Sequence, residues 1–359
     1  MSTRHLIDLD SISSDQLKDI LDLAKVIMKH PQYFCDSGHG KIMATLFYEP
    51  STRTQMSFQS AMLKLGGKLV GFDNPDSSSV SKGESLRDTV RVVSNYADLI
   101  VIRHPCEGAA QAASTFSRCN VINAGDGGHL HPTQTLTDLF TLINTKGTLS
   151  NLTIGICGDL KNGRTVHSLI KSLVRYKNNK FVFISTPQLN VPDYLKQIVI
   201  NAGCEYSESI SLSDSISKID VLYMTRIQRE RFESDEDYKN QKGVFVLDKE
   251  KMKKAKYGLK ILHPLPRVDE IDYEVDDDSR AVYFDQTEYG MYARMALILY
   301  MLENSEKKLD ARPESNSDKC CCNPRCITNH EHYLPNLYIK VDGRTVCEYC
   351  DHTQPICAE

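Results

Sequence analysis

Hydrophobic positions recur along this chain in two distinct patterns. Leu17, Ile20, Leu21 and Ala24 follow helical spacing behind Ser13 or Ser14, either of which can cap, so the chain opens with an amphipathic helix. Short apolar runs of strand length come next: KIMATLFY, GKLVGF, DLIVIR and NVINAG, each separated by helical or polar segments. A second series comprises NLTIGICG, KFVFIS, DVLYMT, GVFVLD, LKILHPLP and AVYFD, with helices such as VHSLIKSLVRY between them. This βα rhythm predicts an α/β fold class with two parallel-sheet α/β domains. The strongly apolar GMYARMALILYMLE predicts a closing helix, and NSEKKLDARPESNSDK, polar and broken by a proline, reads as a linker.

Composition narrows the classes. At 359 residues, with 41% hydrophobic and 25% charged positions, the chain can bury two cores and is not disordered as a whole. A net charge of -4 gives no global attraction to nucleic acid or to anionic membrane, so the expected partner is small. No apolar run has the length of a bilayer span, and MSTRHLIDLDSISSDQLKDIL carries charge where a signal peptide is apolar. A cytoplasmic location is expected. Of 12 cysteines, Cys35, Cys106, Cys119, Cys157 and Cys204 are scattered singly, whereas seven lie beyond Lys319, which marks the tail as a separate object.

Chemistry enters at LFYEPSTRTQMSF. Phe58, Ala61, Met62 and Leu65 keep helical spacing and Gly66-Gly67 stops it, so a helix begins near Thr52. Thr52 and Gln55 fit a capping box, which accounts for two residues. Ser51, Arg53 and Thr54 are left over. An anion at a strand-to-helix turn uses amides, hydroxyls and a guanidinium together, and that reading is preferred.

STRT after a strand, then RHP, HPTQ, GRTVHS, MTRIQ and HPLPRVDE, in that order, resemble the catalytic chains of aspartate carbamoyltransferases over roughly residues 1–305. The resemblance implies the carbamoyltransferase fold. It implies a carbamoyl-phosphate-binding domain over 1–133, completed by a helix near 288–305, and an aspartate-binding domain over 134–287. Carbamoyl phosphate and L-aspartate are the implied ligands, with no catalytic cofactor, no nucleic-acid partner and no membrane partner. Ser51, Thr52, Arg53, Thr54 and Arg103 are expected on the phosphate, and His131, Thr133 and Gln134 on the carbamoyl group. Arg53, Thr54, Arg103 and His131 are the expected catalytic residues, because charge builds on oxygen as an amine attacks the carbamoyl carbon.

Arg164, Arg226 and Gln228 are expected on the aspartate carboxylates, and Leu265 and Pro266 offer backbone carbonyls. The resemblance further implies that Ser79, or Ser78, and Lys82 in DSSSVSKGES complete a neighbouring subunit's site, with a homotrimer as the minimum active unit. Glu49, Arg164 and Arg231 are expected to link the domains on closure. Many relatives carry a charged pair where Gln55 and Gln59 stand here. GICGDLKNG lacks the G-x-G-x-x-G spacing, which argues against a dinucleotide. A relative that uses ornithine typically has a cysteine at the position of Pro264 and lacks the R-x-Q pair; Pro264, Arg226 and Gln228 favour aspartate.

The tail, a linker over 306–318 and a domain over 319–359, contains CCCNPRC and CEYC. Cys321, Cys326, Cys347 and Cys350 form C-x4-C and C-x2-C pairs suited to one tetrahedral, structural Zn²⁺ in a small zinc-ribbon-like β domain. Cys322 can replace Cys321 with shorter spacing, and Cys320 and Cys357 are left over. Scattered cysteines and the absent signal peptide weigh against disulfides. CCNPRCITNHE and CEYC resemble the zinc domain of the aspartate carbamoyltransferase regulatory chain, without the effector-binding domain that normally precedes it. The implied role is contact between subunits, with a higher assembly open.

Overall fold

A computed structural model describes residues 4–227, 234–241, 243–305, 308–309, 313–341 and 343–355. The chain divides into unit 1, Met1–Thr133 with Met291–Glu359, and unit 2, Gln134–Gly290.

Unit 1 is built on four parallel strands, β1 Ile42–Phe47, β2 Lys68–Phe72, β3 Leu99–His104 and β4 Asn120–Asp126, in the order β2-β1-β3-β4. β1, β3 and β4 are buried almost throughout, which is why their sequences are continuous apolar runs instead of alternating ones. Four helices accompany them: α1 Ser14–Lys29, α2 Thr52–Lys64, α3 Leu86–Tyr96 and α4 Ala109–Phe116. Ser13, not Ser14, caps α1 in a reciprocal box with Gln16. The expected Thr52–Gln55 box does not form: Ser51 is the N-cap, in a conformation that gives no side-chain cap bond, and Thr52 is already helical.

Unit 2 carries β5 Thr153–Cys157, β6 Lys180–Ile184, β7 Glu205–Ser209, β8 Val221–Met224 and β9 Lys260–Leu262, all parallel, in the order β7-β6-β5-β8-β9. α5 Pro132–Lys146 precedes it, and α6 Arg164–Leu173 and α7 Asp193–Asn201 follow β5 and β6. Two expected strands are absent. GVFVLD and AVYFD contribute only single bridges, Leu247 to Ile271 and Ala281 to Ile261, although Phe245, Leu247 and Tyr283 are buried in the core. A short apolar run signals burial, and burial alone does not distinguish a strand. β7, EYSES, was not expected, because an edge strand open to solvent needs no apolar run.

The closing helix, Asp285–Glu303, begins three residues before the expected start near 288. Beyond it the cysteine tail forms a two-stranded antiparallel sheet, β10 Tyr338–Val341 with β11 Arg344–Cys347. Its core is continuous with that of unit 1: Cys326, Ile327, Leu334, Leu337 and Tyr349 share one cluster with Val90, Ala109, Ala113 and Phe116. A segment this small buries little on its own, and its apolar residues pack against α3 and α4. No helix among the described residues is long and apolar enough to cross a membrane.

Candidate active site and cysteine centre

In both sheets the candidate residues follow the two strands that flank the reversal of strand order, where open α/β sheets bind ligands, and strands beside them. In unit 1 that reversal lies between β1 and β3. Ser51 to Thr54 open α2 directly after β1, Arg103 ends β3, and His131 follows β4. Thr54 is buried, Ser51 half-buried, and Thr52 and Arg53 exposed at the positive end of the α2 dipole. The pairing of β3 with β4 slips between Ile102 and His104. Such an irregularity re-aims a side chain, and Arg103 Nη1 bonds the Ala124 carbonyl at 3.2 Å and lies 3.5 Å from His131 Nε2. Gly125 permits this approach: a Cβ there would stand 2.7 Å from Arg103 Nη1.

Burial lowers the pKa of the Arg103 guanidinium, and Glu49, 2.6 Å away, opposes that shift. Glu49 is thus seen as the counter-ion of Arg103 within unit 1; Arg231, its expected companion in domain closure, lies outside the described residues. Ser79 and Lys82 form an exposed single turn after β2. Ser78 is half-buried and engaged locally, donating to the Pro75 carbonyl and accepting from the Val80 amide, whereas Ser79 is exposed. Gln55 and Gln59 line a cavity of about 300 Å³ with Thr45, Leu69 and Phe72.

Asp126 is a residue that the motif reading missed. Buried, it accepts from the Gly108 and Leu130 amides at 2.8 and 3.0 Å and from Asn123, and it pairs with His129 at 3.1 Å. Burial opposes the charge on His129, but Asp126 and Asp351 outweigh it and raise its pKa to about 10. His104, in contrast, is held neutral by burial, with its pKa lowered to about 4. The Gly-Asp-Gly before HLHP was the available signal, since a carboxylate between glycines is placed to collect amides.

In unit 2 the order reverses between β5 and β8, and Arg164, Arg226 and Leu265 follow β5, β8 and β9, three neighbouring strands. Arg164 opens α6 and is half-buried, as is Arg226; Gln228 lies outside the described residues. The turn before Arg164 is held by Asp159, which accepts from the Asn162 amide and side chain, and by His167, whose Nε2 donates to the Leu160 carbonyl at 2.8 Å. Leu265 has φ +52° before a cis peptide to Pro266. Its amide donates to His263 Nδ1 at 2.8 Å, and His263 Nε2 meets Glu270 Oε1 at 2.7 Å, so Glu270 fixes the ring that fixes the turn. Gln134 donates to buried Asp138, which also accepts from Gln286. Asp138, His263 and Glu270 were not singled out from sequence.

Two family models cover most of this. The carbamoyl-P binding domain of aspartate/ornithine carbamoyltransferases matches residues 4–144, and the Asp/Orn binding domain matches 150–301. The chain belongs to the aspartate/ornithine carbamoyltransferase family. It is similar to the aspartate carbamoyltransferase catalytic subunit of Clostridium perfringens, 57% identical over 84% of this chain and 99% of that one. A solved catalytic subunit of M. jannaschii aspartate transcarbamoylase superposes with a TM-score of 0.79 at 45% identity, covering 84% of this chain and 99% of that one. Aspartate transcarbamoylase from Trypanosoma cruzi, solved with carbamoyl phosphate and aspartate, gives 0.78 at 35% identity, covering 83% and 97%.

The family models end at residue 301, before the cysteine tail. There Cys321, Cys326, Cys347 and Cys350, all buried, bring their sulfurs within 4.8 Å of one another. Cys321–Cys350 and Cys326–Cys347 are 3.7 and 3.9 Å apart, too far for disulfides and suited to one shared cation. Of the alternatives, Cys321 joins the group; Cys322 is exposed, with its amide on Gln354. Cys320 is also exposed, and Cys357 lies outside the described residues.

Proposed function

We propose that this chain is an aspartate carbamoyltransferase that transfers the carbamoyl group of carbamoyl phosphate to the amine of L-aspartate, in de novo pyrimidine biosynthesis. The observation that carries the reading is the pairing of two residue sets on two sheets. An anion-binding turn with Arg103 and His131 follows the strands of one, and two arginines with the HPLP turn follow the strands of the other.

Ser51, Thr52, Arg53 and Thr54 take the phosphate at the α2 N-terminus, where amides and dipole favour negative charge. Thr54, Arg103 and His131 donate to the carbamoyl oxygen as the amine adds, and Gln134 meets the carbamoyl amide. With a ligand in place, Arg103 exchanges part of its bond to Glu49 for phosphate oxygen, a substitution of one anion for another. Arg164, Arg226 and Gln228 clamp the two aspartate carboxylates, and the Leu265 and Pro266 carbonyls accept from the attacking amine. Phosphate leaves with the electrons of the C–O bond and takes up the proton that the amine sheds. Ser79 and Lys82, exposed on their turn, complete the site of a neighbouring copy in a homotrimer.

The cysteine group holds one structural Zn²⁺. Thiolates at about 2.3 Å from a tetrahedral zinc stand about 3.8 Å apart, and the spacing of the two measured pairs supports this choice. The domain resembles that of a regulatory chain and carries contacts between subunits in a higher assembly.

The test offers purified protein carbamoyl phosphate with either aspartate or ornithine. Carbamoyl-aspartate is the expected product. Transfer to ornithine alone, or to neither, rejects the reading.

A further inference from the structure

Besides its apolar packing on α3 and α4, the cysteine domain makes polar contacts with its own chain at places that lie behind loops of the carbamoyl-phosphate half-site, and three of them bear on it. At the first, Glu331 and the Tyr333 hydroxyl accept from the Leu86 and Arg87 amides at 2.9 and 2.8 Å, capping α3 just after the Ser79–Lys82 turn. Arg87 stacks on the Tyr333 ring, 4.6 Å from its centroid. At the second, Glu107, in the loop after Arg103, exchanges backbone bonds with Arg325 and Ile327 at 2.9 Å each, while its buried carboxylate accepts from Asn323 at 2.7 Å. At the third, His129 stands between two carboxylates, Nδ1 on Asp126 and Nε2 on Asp351, both at 3.1 Å.

The third contact is the most direct. Asp126 gathers the amides of Gly108 and Leu130, so it sets the path of the loop that delivers His131. Asp351 is bonded in sequence to Cys350, and its amide donates to the Cys347 carbonyl, so the cysteine knuckle sets its position. An imidazole donating at both nitrogens to opposed carboxylates is a strut, and it ends two residues from His131.

We propose that the cysteine domain supports the carbamoyl-phosphate half-site of its own chain, with His129 as the positioning residue that ties His131 to the metal knuckle through Asp351. The proposal rests on the reading that His131, Arg103, Ser79 and Lys82 serve carbamoyl phosphate. Metal occupancy and carbamoyl-phosphate affinity are then coupled within one polypeptide, whatever the assembly.

The full-length, metal-loaded chain and its Asp351→Ala, Asp351→Asn and His129→Asn variants are compared by calorimetric titration with carbamoyl phosphate without aspartate. Steady-state constants for both substrates, metal content and melting temperature are measured alongside. Expected is a loss of carbamoyl-phosphate affinity and of kcat on the order of tenfold, as for other orienting partners behind a site. The KM for aspartate and the metal content stay unchanged, and Asp351→Asn, which keeps one acceptor, falls between. Tyr333→Phe, at the first contact, gives a smaller loss of the same kind. Variants that keep carbamoyl-phosphate affinity and kcat, or lose only melting temperature, overturn the proposal. A wild-type chain that binds carbamoyl phosphate but carbamoylates neither amino acid rejects the proposed function instead, and leaves the calorimetric comparison to decide this one.

Discussion

The residues that hold the two sets of loops come from different distances along the chain. In unit 2 support is mostly local: Asp159 holds Asn162 three residues away, and His263 meets Glu270 seven residues away. In unit 1 the partners of Glu107 and His129 lie 216 and 222 residues downstream. Both sheets place candidate site residues at the ends of the strands that flank the reversal of strand order and of a strand beside them, so topology dictates where a site lies. It does not dictate how the loops are stiffened. Unit 2 does so largely with networks inside its own motifs, alongside the Gln286–Asp138 bond that spans 148 residues, whereas unit 1 adds the cysteine domain.

The largest expected effects separate the halves. Arg103→Ala and Arg226→Ala each reduce kcat/KM by on the order of 10²–10³, the cost of a missing donor at developing or bound negative charge. Steady-state kinetics assign the first loss to carbamoyl phosphate and the second to aspartate; the same substrate affected by both ends the comparison. Next is Gly108→Val. Gly108 has φ +84°, and a Cβ there would stand 2.5 Å from the Tyr349 carbonyl oxygen. Overpacking of this kind costs about 1–3 kcal/mol. Chelator should strip the variant of metal faster than the parent, while aspartate affinity stays constant.

Glu270→Gln is the local counterpart. It removes a charge-assisted bond to buried His263, worth about 1.5–3 kcal/mol. The KM for aspartate should rise several-fold with carbamoyl-phosphate affinity unchanged, and the reverse pattern would contradict the role given to the HPLP turn. The smallest effect is on pH. Burial pushes the Glu270 carboxyl upward, but bonds from His263 and backbone amides prevail and hold it below its ordinary value. The unfolded chain therefore binds this proton more tightly. The stabilisation is full above the ordinary glutamate pKa of about 4.3 and fades as pH falls through the lower folded value. Acid melting curves of Glu270→Gln should lack that component.

Much of this was legible in the sequence because parallel strands buried on both faces write themselves as apolar runs; β1, β3, β4 and β5 were all read that way. The same rule failed where apolar residues are buried without being strands, at Phe245 and Tyr283, and where a strand lies at a polar edge, at β7. The placements of Arg103, Arg164 and Arg226 followed from motifs beside strand ends. Cysteine spacing allowed Cys321 or Cys322, and the clustering of the sulfurs together with burial separated them. The docking of the tail was not legible, since Glu107, His129 and Asp351 belong to no periodic pattern and meet only through the fold.

The covalent tether between the closing helix and the cysteine domain has one more effect. Two surfaces on one polypeptide meet at a high effective concentration that dilution leaves untouched. An appendage borne on a separate chain would fall away as the protein is diluted, whereas here every copy keeps its own, in a ratio of one to one.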